Sequence, residues 1–478
     1  MNDVVARTVI NTPCVINMNG HEFLYDSETC NITRSGDTLT FTEAAKDELI
    51  RYEIYADEND AEAAKTIYRP IGALIRIDDE IKVPAARMKD GTLMVCSGWK
   101  IDGENMTATR ATQEHRDSII YPAYTAAERD LSAAVAVMIK GGAVSAVYNT
   151  ADEFFTAIQT ADDSATFFLL SDMVYQVAAD PAIRVSGKLH LDMNGHTLFF
   201  TRADGFTGTT YDGVFRVSGA VWIYSTVPGA KLVYHSRVIG EDGVNSGILF
   251  MSYNTDGVEI GLGVDGAGDA EGESAYAGNL SFYGSIAARL QSSNGGGGTH
   301  FYANGVNFYH TANYGEGIVA SLVTKDYNAD NKVYINNCLF VSLSAEMNGH
   351  AAVFSNTEFG NVRFTVKNST IISDGNIINA PDSFNSTYLF EDCRIVGALT
   401  VAKPDAITLS GKILLAGEAP EGMSFIGSCG LTPDVNDADK ELTLTLLYNG
   451  RFTDEDYSNT DMAEVVKSFA FTMVTGHT

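Results

Sequence analysis

Between Ile183 and Gly417 apolar and polar residues alternate in short runs, each broken by a small or amide-bearing residue, and the arrangement keeps returning. It reads IRVSGKLHLDMNGHTLFF (183–200), FRVSGAVWIYS (215–225), LSFYGSIAARL (280–290), FYANGVNFYH (301–310), VYINNCLFVS (333–342), FTVKNSTIIS (364–373), LFEDCRIVG (389–397) and ITLSGKILLAG (407–417). Alternation of period two puts successive side chains on opposite faces of a strand. The breaks fall at Gly187, Gly219, Gly284, Gly305, Asn337, Asn368, Asp392 and Gly411, residue types that accept a left-handed backbone at low cost. Apart from one longer gap after Gly219, they are 19 to 32 residues apart, the period of stacked repeats. The pattern predicts a solenoid whose strands pair with their counterparts in the next repeat, a parallel β-helix. A β-sandwich would place its turns every 8–12 residues or so.

The flanking sequence divides the rest. Residues 1–122 read as a β-sandwich-like domain: INMNGHEFLYD (16–26) and NITRSGDTLTFT (31–42) alternate around glycines, and Lys89-Asp90-Gly91 and Asp102-Gly103-Glu104 have the form of hairpin turns. Residues 123–148 read as a helical junction. Thr125-Ala-Ala-Glu128 has the form of a capping box, Ala and Leu fill the following turns, and Gly141-Gly142 supplies a stop. Residues 149–419 carry the β-helix and 420–478 a C-terminal cap or oligomer contact, with a hairpin expected at Asn449-Gly450.

Composition narrows the function classes. The chain has 478 residues, 61 acidic against 32 basic side chains and a formal net charge of −29. That balance repels nucleic acid, anionic membranes and polyanionic substrates at long range and favours a neutral or cationic ligand. No run of apolar residues is long enough to insert in a membrane, and MNDVVARTVINTPCVI lacks the form of a secretory signal. Six cysteines without C-x-x-C spacing predict free thiols, with Cys338 and Cys393 buried just after their turns.

VSGKLHLDMNGHTLFF, with the preceding NTADEFFTAIQ (149–159) and FFLLSDMVY (167–175), resembles the opening of pectate-lyase-like right-handed β-helices, where an amphipathic helix and an L-D-x-N-G-x-T-I segment start the coil. The likeness spans about half the chain and speaks for fold, since that fold hosts lyases, hydrolases, phage tailspikes and adhesins alike. Val83-Pro84 through Val95 and Gly98 through Thr107 resemble segments in the small N-terminal β-domains of bacteriophage fibre and baseplate proteins. That likeness implies an anchor domain followed by a shaft.

Candidate chemistry sits in segments that break the rhythm, such as NTDGVEIGLGVDGAGDAEGESAYAGN (254–279) and SSNGGGGTH (292–300). Asn254-Thr255-Asp256-Gly257 resembles the first motif of polygalacturonase-type glycosidases and makes Asp256, with Glu259, the candidate catalytic carboxylates. The later motifs of that family are missing. Tyr276, Tyr283, Tyr302, Tyr309 and Tyr314 lie beside the acidic loops and are the candidates for stacking on sugars. Asp326, Asn328 and Asp330 have the alternate spacing of Ca²⁺ ligands, but a closing glutamate is replaced by Asn337, so no cofactor is expected beyond a Ca²⁺ candidate there.

The expectation drawn from these features is a bacteriophage virion protein, a tail fibre, spike or baseplate appendage. Its β-helix would present a surface to host glycan as a homotrimer, with the N-terminal domain docked to other virion proteins. A tailspike-type glycoside hydrolase and a bacterial cell-surface adhesin are the alternatives.

Overall fold

In the computed structural model the described residues run from 7 to 416, apart from 107–109, 179–181, 204–212, 236–247, 254–256, 273, 285, 293–297, 311–318, 324–329, 343–351, 357–360, 380–385, 400–405 and 412. Beyond 416 they comprise the strands Ser424–Ile426, Thr445–Leu446 and Met473–Val474. The expected hairpin at Asn449-Gly450 lies outside them. The chain is mainly β and falls into two compact units, residues 1–129 with 141–144, and 130–140 with 145–478.

The first unit is built from short, mostly antiparallel sheets, with Thr8–Val9 parallel to Tyr25–Asp26 and Ser118–Ala126 parallel to Ile50–Ile54. Cys30–Ser35 and Thr38–Glu43 form a hairpin, joined by Cys14–Asn17, over a core of Met18, Tyr25, Cys30, Ile32, Leu39 and Phe41. Ala86–Lys89 returns as Thr92–Ile101 through Asp90 and Gly91, both left-handed at φ 49° and 76°. Two consecutive positive φ values define the turn whose twist matches paired strands, which is why Asp-Gly marks hairpins here. This larger sheet covers a second core around Ile50, Tyr52, Ile54 and Ile120.

The second unit is β-helix-like. One parallel ladder stacks Ala165–Leu169, Lys188–Asp192, Ala220–Tyr224, Val258–Leu262, Thr299–Asn304, Asp330–Asn336, Asn361–Lys367, Thr387–Glu391, Ile407–Ser410 and Ser424–Ile426. A second ladder stacks Met173–Val177, Thr197–Arg202, Ala230–His235, Leu280–Gly284, Val306–His310 and Leu339–Ser342. A third stacks Ile183–Val185, Phe215–Val217, Ile248–Tyr253, Ile286–Ser292, Val319–Val323 and Ala352–Asn356. The long strand Thr370–Asn379 pairs with members of both the second and third ladders. Alternate side chains of all three point inward into one apolar core. Leu191, Ile223, Leu262, Ala303, Ile335, Val366 and Phe390 follow one another in register down its first wall. Each such aliphatic or aromatic side chain contributes roughly 1.5–3 kcal/mol on burial.

The turn residues fall at different places in the coil. Gly305, Asn337, Asn368, Asp392 and Gly411 stack at the corner between the first and second ladders and are left-handed, with φ between 50° and 68°. Asn194-Gly195 takes that corner in an earlier turn, with φ 47° and 77°. Gly187 and Gly219 serve the corner that enters the first ladder for a different reason. A β-carbon on Gly219 would lie 2.1 Å from the Gly187 carbonyl oxygen, and one on Gly187 would lie 2.1 Å from that of Ala161.

The helix expected at 123–148 is overturned. Ser118–Ala126 is a strand paired with Thr92–Ile101, Ala136–Lys140 pairs antiparallel with Ala165–Leu169, and Ala143–Tyr148 flanks it. Ala136 and Val137 are both fully buried. A strand covered on both faces and a helix that is apolar all round produce the same run of residues, and β-branched Val135, Val137 and Ile139 favour the strand. Gly141 and Gly142, both left-handed, turn a hairpin rather than stop a helix. The capping box stands at Thr150 instead: its side chain accepts from the Glu153 N–H, while Glu153 Oε2 accepts from the Asn149 N–H. The helix it starts, Ala151–Ala157, buries Phe154 and Phe155 against Phe167 and Phe200 at the start of the core.

Candidate functional site

Strands of the first ladder turn every second side chain away from the core, so register builds columns on its outer face, with about 4.8 Å between neighbours. One column holds Lys188, Ala220, Glu259, His300, Lys332 and Arg363, and the next His190, Trp222, Gly261, Tyr302, Tyr334 and Thr365. A third has Asp192 and Tyr224 at one end and Asn304, Asn336, Lys367 and Glu391 at the other.

One end of this face is covered. The segment 263–279 leaves the ladder after Val258–Leu262 and folds back over it. Asn304 Nδ2 donates to the carbonyls of Asp269, Ala270 and Gly272 at 2.9, 3.2 and 2.8 Å, and Asn336 Nδ2 donates to that of Gly272 at 3.0 Å. Val264 and Ala267 lie on the Trp222 indole, and the Tyr276 ring stacks on Tyr224 at 4.6 Å. Beside them His190 Nδ1 lies 2.6 Å from Asp265 Oδ1 and Nε2 3.4 Å from Asp163 Oδ1. Burial of the imidazole works to lower its pKa, but the hydrogen bonds and charges of Asp265 and then Asp163 outweigh it, so His190 titrates above its ordinary value. Asp192 is the converse case. Burial pushes its carboxyl up to about 6, against the hydrogen bonds it accepts from the Thr226 and Asn194 N–H groups and the Thr226 hydroxyl.

Gly261 joins the covered end to the open one. A β-carbon there would sit 2.2 Å from Trp222 Cε3. Its absence lets the indole lie across that strand and meet Tyr302 beyond it, with ring centroids 5.8 Å apart and planes at 34°.

The open end holds Tyr302 and its register partner Tyr334, both half-buried. Tyr302 Oη and His300 Nδ1 are 3.2 Å apart. Burial, then the charges of Glu259 and Glu271, raise the pKa of Tyr302. Burial also raises that of Tyr334, with Lys367 opposing and Glu271 and Glu391 adding. The charge of Glu271, carried on the folded-back segment, therefore reaches both phenols, and Lys367 Nζ pairs with Glu391 at 3.1 Å. Phenol rings with carboxylates and an ammonium group nearby can stack on a pyranose ring and bond its hydroxyls.

Of the residues expected from sequence, Glu259 and Tyr302 meet at this open end. Tyr276 belongs to the covered end, where its ring is buried against Tyr224. Tyr283 and Tyr309 lie on the second ladder, stacked at 5.0 Å and packed with Phe199 and Val233. Asp256, Tyr314, Asp326 and Asn328 lie outside the described residues, and Asp330 opens a strand. Among the described residues, no cluster of three His, Cys, Asp or Glu side chains is placed to hold a metal. His190, Trp222, Tyr334, Lys332 and Glu271 escaped the sequence reading, although a signal existed. Aligning VSGKLHLD with VSGAVWIY sets His190 on Trp222, and aligning FYANG with VYINN sets Tyr302 on Tyr334.

Comparison of the chain with protein-family models, with curated proteins and with solved structures finds no match.

Proposed function

We propose that this chain is a glycan-binding appendage of the bacteriophage tail-fibre or tailspike kind. In this reading a sandwich-like N-terminal unit docks to other virion proteins. A right-handed, single-stranded parallel β-helix, closed by a C-terminal cap, carries the saccharide face, and three copies assemble into a homotrimer. The observation that carries the reading is the Tyr302–Tyr334 pair, held half-buried on consecutive strands of a rigid ladder with the charges of Glu259 and Glu271 around it. Aromatic faces on a stiff support bind sugars without paying to order a loop. Repetition of the face in an oligomer turns modest single contacts into firm attachment.

The test is binding of purified full-length protein to host-derived polysaccharide, with its mass measured by light scattering. A trimer that retains the polysaccharide without generating reducing ends supports the appendage. Release of ends favours the second reading, a glycoside hydrolase, for which Glu259 beside Tyr302 is the observation. A monomer that binds no polysaccharide refutes both.

A further inference from the structure

Trp222, Tyr302 and Tyr334 form one outward row on the first ladder, interrupted only at Gly261, which the indole lies across. Residues 264–268 hide the Trp222 end of that row. They read Val-Asp-Gly-Ala-Gly, so Val264 is the one large apolar group laid on the indole. The Gly263 N–H donates to the Ile223 carbonyl at 2.8 Å, and the Asn304 amide holds the chain again from Asp269 onward. Between those two fixed points the grip on the ladder comes from Val264 and Ala267 on Trp222 and from the Asp265–His190 pair. Gly263 and Gly266, left-handed at φ 70° and 146°, supply bends at the start and in the middle. Two groups of the strand Lys188–Asp192 set the charge that Asp265 meets. His190 is held on its other side by Asp163, which also pairs with Lys188 at 2.8 Å. The carboxyl of Asp192, pushed up to about 6 by burial, also feels the charge of Asp265.

We propose that residues 264–268 are a cover that lifts as pH rises, and that the Trp222 indole beneath it is a further stacking site for a pyranose ring, continuous with Tyr302 and Tyr334. The second half rests on the glycan-binding reading of the same face; the first does not. At acid pH the strand offers Asp265 an imidazolium at His190 and a neutral acid at Asp192. At alkaline pH it offers a neutral imidazole and a carboxylate. Both folded-state pKa values are raised, so the hold that each group gives is present at low pH and is lost as pH rises through the folded value. Of the other groups that face them, Lys188 is held charged by Asp163 and Tyr224 is held neutral by burial, while the charge of Glu259 falls on Lys188. A saccharide that needs the indole binds more weakly by the fraction of molecules in which the cover is open, so each step that loosens the cover tightens binding.

The experiment uses full-length protein in a Trp99→Phe background, so that Trp222 is the one tryptophan left. Acrylamide quenching at about pH 5 and about pH 8 reads the access of solvent to its indole. The quenching constant should rise at least about threefold between them, and Asp265→Asn should remove the rise. Disaccharides and longer oligosaccharides, cut from purified bacterial surface polysaccharides, then test the site. The longer chains should bind about tenfold more tightly at the alkaline pH and the disaccharides equally at both. Trp222→Leu, which keeps an apolar group under Val264, should remove that gain and leave the disaccharide affinity unchanged. Quenching that is the same at both pH values, or that rises equally in Asp265→Asn, overturns the cover. A rise in quenching with no gain in the affinity of longer chains overturns the stacking site. If no saccharide binds at either pH, the glycan reading fails and the stacking site with it, while the quenching still decides whether the cover moves.

Discussion

Trp222 and Tyr334 occupy the same outward column of the same ladder, one buried and the other half-open, and only what lies above them differs. Over Trp222 the segment 263–279 folds back and makes an outward residue into a small second core with Val264. Tyr334 stays half-exposed, with burial and then the charge of Glu271 on that segment raising its pKa. An outward aromatic residue on a solenoid therefore has no fixed role. Whether it is packing or platform depends on the nearest excursion of the chain, and the amides of Asn304 and Asn336 fix where this excursion ends.

The contrast can be broken in order of expected effect. Gly261→Val should be the most damaging change, about 3 kcal/mol by urea unfolding, because its side chain collides with the indole. The chain has two tryptophans, so the fluorescence of a Trp99→Phe background should report the displaced Trp222 directly. Asn304→Ala should cost about 2 kcal/mol through loss of the bonds that hold segment 263–279. Amide exchange there should rise while the inward strands stay protected.

His190→Gln should cost less, below about 2 kcal/mol, with a characteristic pH dependence. The folded-state pKa of His190 is raised, so the stability it contributes is fully present below the unfolded value of about 6.5 and is lost as pH rises through the folded value. The difference in melting temperature between wild type and variant should be largest at the acid end and shrink towards alkaline pH. A gap that widened with pH would mean that the imidazole works as a neutral packing group. Tyr334→Ala should change stability least, by about 0.5 kcal/mol, while removing saccharide binding. If it proved as costly as Gly261→Val, the open end would be core as well and the platform would not exist.

Much of the solenoid could be read from the chain because its rule is local. Period-two alternation and a left-handed corner residue repeat at Gly305, Asn337, Asn368, Asp392 and Gly411, and each needs knowledge of its own strand only. The helix expected in 123–148 fails because Ala136 on one face and Val137 and Ile139 on the other are all buried, so inward and outward positions carry too little contrast to reveal a period of two. The face was legible in pieces. Glu259 comes from the resemblance at Asn254–Gly257 and Tyr302 from its place beside the acidic loops, whereas His300, Lys332 and Arg363 meet only once the unequal turns of the coil are brought into register. Tyr276 looked available beside an acidic loop, and sequence had no means of showing that the loop lies back on the ladder and stacks Tyr276 on Tyr224.

The corner at Asn194-Gly195 also gives the molecule a chemical clock. In a loose peptide an asparagine followed by glycine deamidates readily, because the glycine nitrogen can attack the side-chain carbonyl. Here Asn194 Nδ2 donates to the Leu169 carbonyl and the Gly195 N–H donates to the Ser225 hydroxyl, at 3.0 and 2.9 Å, so the nucleophile and its target are both held in place. Ageing at this position can proceed only when the first turns of the coil part. The fraction of isoaspartate at residue 194 in stored protein therefore records how often they have done so.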